Sequence, residues 1–191
     1  MKLADATLVV DDEIALIPRH VADADELFAL VERHRAELRR WLGWVDATRS
    51  RGDMRRYAQF AAAQFEQHAG FDYSIAYRGA LAGSIGLHHL DWLVRSAHIG
   101  YWLAPDARGH GVVTRAVVRL TGHAFTRLDI HRLELRAVVE NRQSRAVAER
   151  AGYGFEGVLR EAELLHGKYH DLALYAMLSA ESEASFPPPA R

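Results

Sequence analysis

The stretch that decides the fold of this chain is residues 107–114, Ala-Arg-Gly-His-Gly-Val-Val-Thr. An apolar, strand-like run at 99–103 precedes it. A helical pattern follows it, in which apolar residues recur at steps of three and four from Val113 to Leu128. An alternating run at 132–139 comes next. Strand, glycine loop, helix and strand form a βαβ unit, because two parallel strands need a crossover connection of this length.

The glycines of this loop favour a phosphate-binding site. Gly109 and Gly111 leave backbone N–H groups uncovered by side chains, and the start of the helix adds partial positive charge. The loop is not a Walker sequence, because Gly-Lys-Ser/Thr does not follow, and it lacks the later glycine of a dinucleotide fingerprint. On these residues alone, the loop is either a phosphate site or a simple turn.

Composition indicates a soluble globular protein. The 191 residues fit one domain over 1–191, with an ordered core at about 14–180 and a mobile tail at 181–191. The formal net charge of −1 implies no bulk attraction to nucleic acid or to an anionic membrane. The chain has no cysteine, which excludes disulfides and a thiol nucleophile and is compatible with the cytoplasm. No apolar run approaches the roughly 20 residues that span a bilayer.

The remaining patterns predict helices early in the chain and an α/β layered fold with a largely antiparallel sheet. Helices are expected after a cap at Asp23 or Asp25, up to about Trp41 before a break at Gly43, from Asp53 to near Gly70, and over 142–150 before Gly152. Strands are expected at 14–17, on an edge of the sheet, and at 73–77, 81–90, about 154–162 and 168–178. The apolar run at 172–178 predicts either a buried strand or a contact in a homodimer.

The loop and the chain around it resemble a known family. Arg108-x-x-Gly111-x-Val113 resembles the phosphate loop of the GCN5-related N-acetyltransferases (GNAT), in which the third position is Gly or Ala. Valine at that position is usual in the RimJ/RimL branch, the ribosomal-protein N-terminal acetyltransferases. Segments 100–103, 109–116, 141–144, 148–153 and 156–163 also resemble this branch. The resemblance implies a GNAT fold with a mixed seven-stranded sheet, helices on both faces, and two strands splayed around the loop.

The resemblance also implies acetyl-CoA as the co-substrate, and no metal is expected. The residues implied to contact it lie on the strand before the loop, in the loop and at the starts of the two helices that follow: Tyr101, Trp102, Leu103, Arg108, Gly109, His110, Gly111, Val112, Val113, Thr114, Asn141 and Ser144. Four histidines, His88, His89, His166 and His170, form no recognised metal-ligand set by their spacing.

Acetyl transfer needs a base for the acceptor amine and a proton donor for the departing thiolate. Many GNAT members carry a tyrosine as that donor, seven residues after the motif asparagine, but this position is Ala148 here. In the RimJ/RimL branch the donor is the serine three residues after the asparagine, which implies Ser144. The branch implies Glu163 as the base. His98 stands where many relatives carry Glu, and it is the alternative base on the substrate side.

The acceptor is the least specified part of the prediction. Trp41 and Trp44 are implied to line the substrate side, but with Tyr57 and Phe60 they also fit core residues at helical spacing. We expect an acetyl-CoA-dependent N-acetyltransferase that acts directly on a peptide or protein N-terminal amine, such as that of a ribosomal protein. The alternatives are a small-amine acetyltransferase, for an amino acid, polyamine or aminoglycoside, and a CoA-binding module without turnover.

Overall fold

A computed structural model of the protein describes residues 7–185. The strands in this range are Leu8–Val9 (β1), Ile14–Pro18 (β2), Phe71–Tyr77 (β3), Ala80–Asp91 (β4), Ser96–Leu103 (β5), Arg132–Val138 (β6), Gly154–Leu165 (β7) and Lys168–Leu178 (β8). They form one sheet in the order β1-β2-β3-β4-β5-β6-β8-β7. Neighbouring strands are antiparallel, except that β5 and β6 run parallel. The predicted mixed, mostly antiparallel sheet with a central βαβ unit is confirmed.

The α-helices in the described range cover both faces of this sheet. They are Ala24–Arg33 (α1), Arg35–Arg39 (α2), Arg51–Glu66 (α3), Val112–Arg127 (α4), Arg142–Arg150 (α5) and Ser179–Ser185 (α6). Neighbouring side chains on a strand point to opposite faces. Trp102 of β5 packs with the cluster of buried residues that includes α1–α3, whereas Tyr101 packs with the cluster that includes α4 and α5. These two groups of helices therefore lie on opposite faces of the sheet. None of these helices has the length and apolar character needed to cross a bilayer.

The sheet has eight strands rather than the expected seven, and the additional strand lies at one edge. The Asp11 side chain accepts hydrogen bonds from the N–H groups of Glu13 and Ile14, at 2.9 and 3.0 Å. This turn folds the two residues of β1 back onto β2. The prediction that residues 14–17 form an edge strand was therefore wrong, because β2 pairs with β1 on one side and β3 on the other.

Helix α3 differs from its prediction in both its start and its buried face. It begins at Arg51 rather than Asp53, because Ser50 caps it and accepts a hydrogen bond from the Asp53 N–H at 3.1 Å. The alternative that the early aromatics are core residues is wrong for the two on α3, since Tyr57 is 41% and Phe60 60% exposed. The buried face consists of Met54, Ala58, Ala61 and Phe65.

The apolar run at 172–178 belongs to β8, which lies between β6 and β7 inside the sheet. Its apolar character on both faces is accounted for by burial within the protein itself. Beyond β8, residues 179–185 form helix α6, which includes part of the segment predicted to be a mobile tail. The rest of that predicted tail, residues 186–191, lies outside the described residues.

The parallel pair β5–β6 separates partway along its length. Paired positions run only from Ser96 with Arg132 to Ile99 with Leu135. On its other side, β5 stays paired with β4 as far as Leu103. The two strands therefore form a wedge-shaped gap, in agreement with the splayed strands that the resemblance implies.

Gly83 of β4 keeps the open end of β5 in place. A Cβ atom there would lie 2.2 Å from the carbonyl oxygen of Trp102, which no side chain tolerates. We expect Gly83→Ala to lower the free energy of unfolding by about 2–3 kcal/mol, the upper range for overpacking. Urea denaturation measures the change.

Gly154→Ala is the matched control, because it is also a strand glycine but its added Cβ would lie 3.8 Å from the nearest atom, the Ala176 carbonyl oxygen. Equal denaturation midpoints for the two variants would contradict the close approach of β4 to β5.

Candidate active site

The gap between β5 and β6 exposes backbone N–H groups. The Ala104 N–H donates to the Ala82 carbonyl oxygen at 2.8 Å, toward β4. Because successive N–H groups of a strand point to alternate sides, those of Leu103 and Tyr101 point away from β4 and into the gap. Such donors are suited to a carbonyl oxygen that gains negative charge.

The loop between β5 and α4 has an anion-binding geometry. Gly109 and Gly111 adopt left-handed backbone angles, with φ of 82° and 70°, and an added Cβ at either would meet no atom within 4 Å. The first helical hydrogen bond runs from the Arg115 N–H to the Gly111 carbonyl oxygen at 3.0 Å. The preceding N–H groups, at 112–114, stand at the positive end of a 16-residue helix.

Most residues predicted to contact the cofactor line one groove of about 440 Å³ that runs along this loop and the gap. They are Tyr101, Trp102, Leu103, Arg108, Gly109, Gly111, Val112, Val113, Thr114, Asn141 and Ser144. His110 does not line the groove with them, and its ring stacks on Tyr77 with centroids 6.0 Å apart.

Helix α5 brings its N-terminal residues to the end of the gap. Asn141 caps this helix, because its Oδ1 atom accepts a hydrogen bond from the Ser144 N–H at 3.2 Å. The Ser144 hydroxyl lies 2.8 Å from the hydroxyl of Tyr101, across the gap. Ala148, one helical turn after Ser144, is fully buried in the core and does not line the groove.

A second cavity, of about 850 Å³, adjoins the groove. The two share six lining residues: Trp41, Leu42, Tyr101, Trp102, Asn141 and Ser144. Trp41 and Trp44 both line this second cavity, and the rings of Trp44 and Trp102 lie 6.1 Å apart. The predicted substrate-side residues Trp41, Trp44 and His98 therefore lie in one cleft, which meets the groove near Tyr101.

Both candidate bases line this cleft, in different environments. His98 Nε2 lies 3.3 Å from a carboxylate oxygen of Glu134. The two oxygens of this carboxylate also accept hydrogen bonds from Arg132 and Arg136. Burial of the imidazole and the nearby Arg136 charge lower the pKa of His98, with Glu134 acting against them. Glu163 follows an irregular segment of β7, is half-buried and forms no ion pair with any residue in 7–185.

Sequence reasoning missed a polar group on the floor of the cleft. Tyr57 donates a hydrogen bond to Asp72 Oδ1 at 3.0 Å, and the same oxygen lies 3.9 Å from His88 Nε2. The His88 ring lies over the cross-strand glycines Gly86 and Gly100, where an added Cβ would be 3.0 and 3.1 Å from its atoms. Glycine at opposed positions on two strands is the sequence signal for such a close-lying ring.

Other missed residues line the cofactor groove. Glu37 and Leu38 on α2 and Arg142, Gln143 and Arg150 on α5 form parts of its walls. Arg108 joins the loop to α2, because its guanidinium lies 3.4 Å from Glu37 and donates to the Leu103 carbonyl oxygen at 3.3 Å. No group of three or more metal-ligating side chains occurs in the described part of the chain.

Comparison with known proteins agrees with this geometry. The family model of the acetyltransferase (GNAT) domain matches residues 14–154. The chain is 34% identical to the putative ribosomal N-acetyltransferase YdaF of Bacillus subtilis, over 93% of this chain and 97% of the relative. It is 30% identical to the ribosomal-protein-serine acetyltransferase of Escherichia coli, over 80% of this chain and 85% of that enzyme.

Solved structures extend the agreement to the cofactor. RimL, a ribosomal L7/L12 α-N-protein acetyltransferase solved in complex with coenzyme A, superposes with a TM-score of 0.88 at 28% identity. The superposition covers 90% of this chain and 97% of that structure. The chain is thus a member of the GNAT family of the RimJ/RimL type, an N-acetyltransferase that uses acetyl-CoA.

Proposed function

We propose that this enzyme acetylates the N-terminal α-amine of a protein, with a ribosomal protein as the first candidate, in the cytoplasm. The observation that carries the proposal is the cleft of about 850 Å³, which adjoins the cofactor groove at Tyr101. Its volume is near the upper end of small-molecule sites, about 300–1,000 Å³, and it accommodates several residues of an extended chain. The two relatives named for ribosomal-protein acetylation support the same acceptor.

The charges of the cleft argue against a polycationic acceptor. Its carboxylates are Asp72 and Glu163, and Asp72 already accepts a hydrogen bond from Tyr57. Two arginines, Arg19 and Arg136, already balance these carboxylates, and the three histidines, His88, His89 and His98, add no negative charge. A polyamine or aminoglycoside needs several carboxylates to balance its charges, so this lining disfavours both.

In the acetyl-CoA-binding site that we propose, the groove residues have three roles. Loop and helix N–H groups at 109–114 hold the pyrophosphate. The gap between β5 and β6 receives the pantetheine arm, where Asn141 offers an amide group. The N–H groups of Leu103 and Tyr101 face the thioester carbonyl oxygen. When bound, acetyl-CoA supplies the activated acetyl group.

Two side chains of the protein then transfer protons, one from the acceptor amine and one to the sulfur. An α-amine titrates near pH 8, so it is mostly protonated at neutral pH, and we assign Glu163 to take up its proton directly or through water. The Leu103 and Tyr101 N–H groups stabilise the charge on the carbonyl oxygen. Ser144 donates to the sulfur as the carbon–sulfur bond breaks. The acceptor ammonium loses two protons in all: one replaces the proton that Ser144 gives to the sulfur, and Glu163 passes the other to solvent, so the protein ends unchanged.

The proposed pyrophosphate-binding site can be tested by ligand-induced stabilisation. Acetyl-CoA at a hundredfold excess over its Kd should stabilise the native protein by about 2.7 kcal/mol, seen as a rise in Tm. Gly111→Asp should abolish this rise, because the new carboxylate repels the pyrophosphate. Gly79→Asp is the control, since Gly79 also has a positive φ, 79°, and open surroundings, but it lies in the β3–β4 turn. An unchanged Tm rise in Gly111→Asp would exclude the loop as the phosphate seat.

The acceptor class can be tested by thiol release. We expect release of coenzyme A with peptides that begin with small residues, and weak or no release with spermidine or an aminoglycoside. Preferred turnover of the small amines would overturn the proposed acceptor. Acetyl-CoA binding without turnover of any amine would favour the alternative of a CoA-binding module.

The base can be tested by comparing Glu163→Gln with His98→Gln. Glu163→Gln should lower kcat about a hundredfold near pH 7, and the deficit should shrink above pH 8, where more of the acceptor amine is already neutral. His98→Gln should keep most of the activity, because His98 is engaged by Glu134. The opposite ranking of the two variants in a pH–rate profile would move the base to His98.

A further inference from the structure

The tyrosine that many GNAT enzymes carry on the helix after the motif asparagine is absent, yet a tyrosine hydroxyl still reaches the same region. Tyr101 lies on β5, on the opposite side of the gap from α5. Its hydroxyl is 2.8 Å from Ser144 Oγ and 3.2 Å from the Ser144 carbonyl oxygen. Both residues line the groove and the cleft, so the pair lies at the junction of the two.

We propose that Tyr101 is the positioning residue for Ser144: its hydroxyl donates to Ser144 Oγ and so directs the serine proton toward the sulfur of coenzyme A. This inference rests on the proposed function, in which Ser144 donates to that sulfur. It assigns to Tyr101 a role beyond lining the groove.

The hydrogen-bonding capacity of the pair supports this direction. Each hydroxyl has one proton to give. If Tyr101 donated to the Ser144 carbonyl oxygen, the serine proton would be drawn to the tyrosine oxygen and lost to the ligand. If Tyr101 donates to Oγ, the serine proton is free for the sulfur. An anionic sulfur therefore favours the second arrangement, because it adds a charge-assisted hydrogen bond.

The environment of Tyr101 keeps it a donor. Burial raises the pKa of Tyr101 to about 12, and this outweighs the hydrogen bond with Ser144 and the Arg150 charge, which act in the opposite direction. The phenol therefore remains protonated at every pH at which an acetyltransferase is assayed. Its contribution should be independent of pH between about 6 and 9, unlike that of a base that titrates in this range.

The composition of the chain offers a test that needs no acceptor. Because the protein has no cysteine, the thiol of bound coenzyme A is the only thiol in the complex. Its thiolate fraction can be followed by ultraviolet absorbance, or by its rate of alkylation with iodoacetamide, as pH is varied. A hydrogen bond to the sulfur stabilises the thiolate and so increases this fraction at a given pH.

We expect Tyr101→Phe to lower the thiolate fraction of bound coenzyme A about three- to tenfold at a fixed pH, the effect of one hydrogen bond. Ser144→Ala should lower it at least as much. The double variant should resemble Ser144→Ala alone, because the tyrosine acts through the serine. Tyr153→Phe is the matched control, since it removes a buried tyrosine hydroxyl 2.7 Å from Thr121 Oγ1, with no contact to the groove.

Acetyl transfer gives a second readout. Tyr101→Phe should lower kcat by about the same factor, and the deficit should shrink with acetyl-selenocoenzyme A, whose leaving selenol is a stronger acid and needs less help. An unchanged thiolate fraction in Tyr101→Phe, or losses that multiply in the double variant, would overturn the role of Tyr101. Failure of the proposed function is distinct, because it would appear as coenzyme A that does not bind, or binds without transfer to any amine.

Discussion

The structure depends on the point at which β5 stops pairing with β6. Up to Ile99 and Leu135 the two strands share backbone hydrogen bonds, and beyond them β5 follows β4 alone. An unpaired N–H group inside a protein is costly, so such a gap persists only where a ligand or solvent satisfies it. The gap, the two glycines of the loop and the start of α4 thus form one groove along which backbone N–H groups are available to a ligand.

Much of this arrangement could be predicted from the sequence, because the patterns that indicate it lie close together in the chain. Loop glycines, a helical repeat and an alternating strand follow one another within residues 99–139, so the βαβ unit is specified by neighbouring residues. Most residues of the predicted cofactor groove lie in this unit, and the structure brings them together. The roles given to Glu163 and Ser144 come from resemblance, and they remain predictions.

The features that the sequence did not predict depend on weak local patterns or on contacts between distant residues. The strand Leu8–Val9 is too short to show a period, and it exists because the Asp11 side chain closes a turn. Tyr57 and Phe60 matched a helical period, but two or three aromatics do not define which face of a helix is buried. The contacts of Tyr101 with Ser144 and of Tyr57 with Asp72 cross the fold, and no local pattern encodes them.

The six residues that belong to both cavities have a consequence for how the two ligands bind. Since Trp41, Tyr101 and Ser144 are common walls, a cofactor arm in the groove forms part of the surface that the acceptor meets. The two binding free energies are therefore coupled, and thermodynamic linkage makes the coupling reciprocal: whatever the cofactor adds to acceptor affinity, the acceptor adds to cofactor affinity.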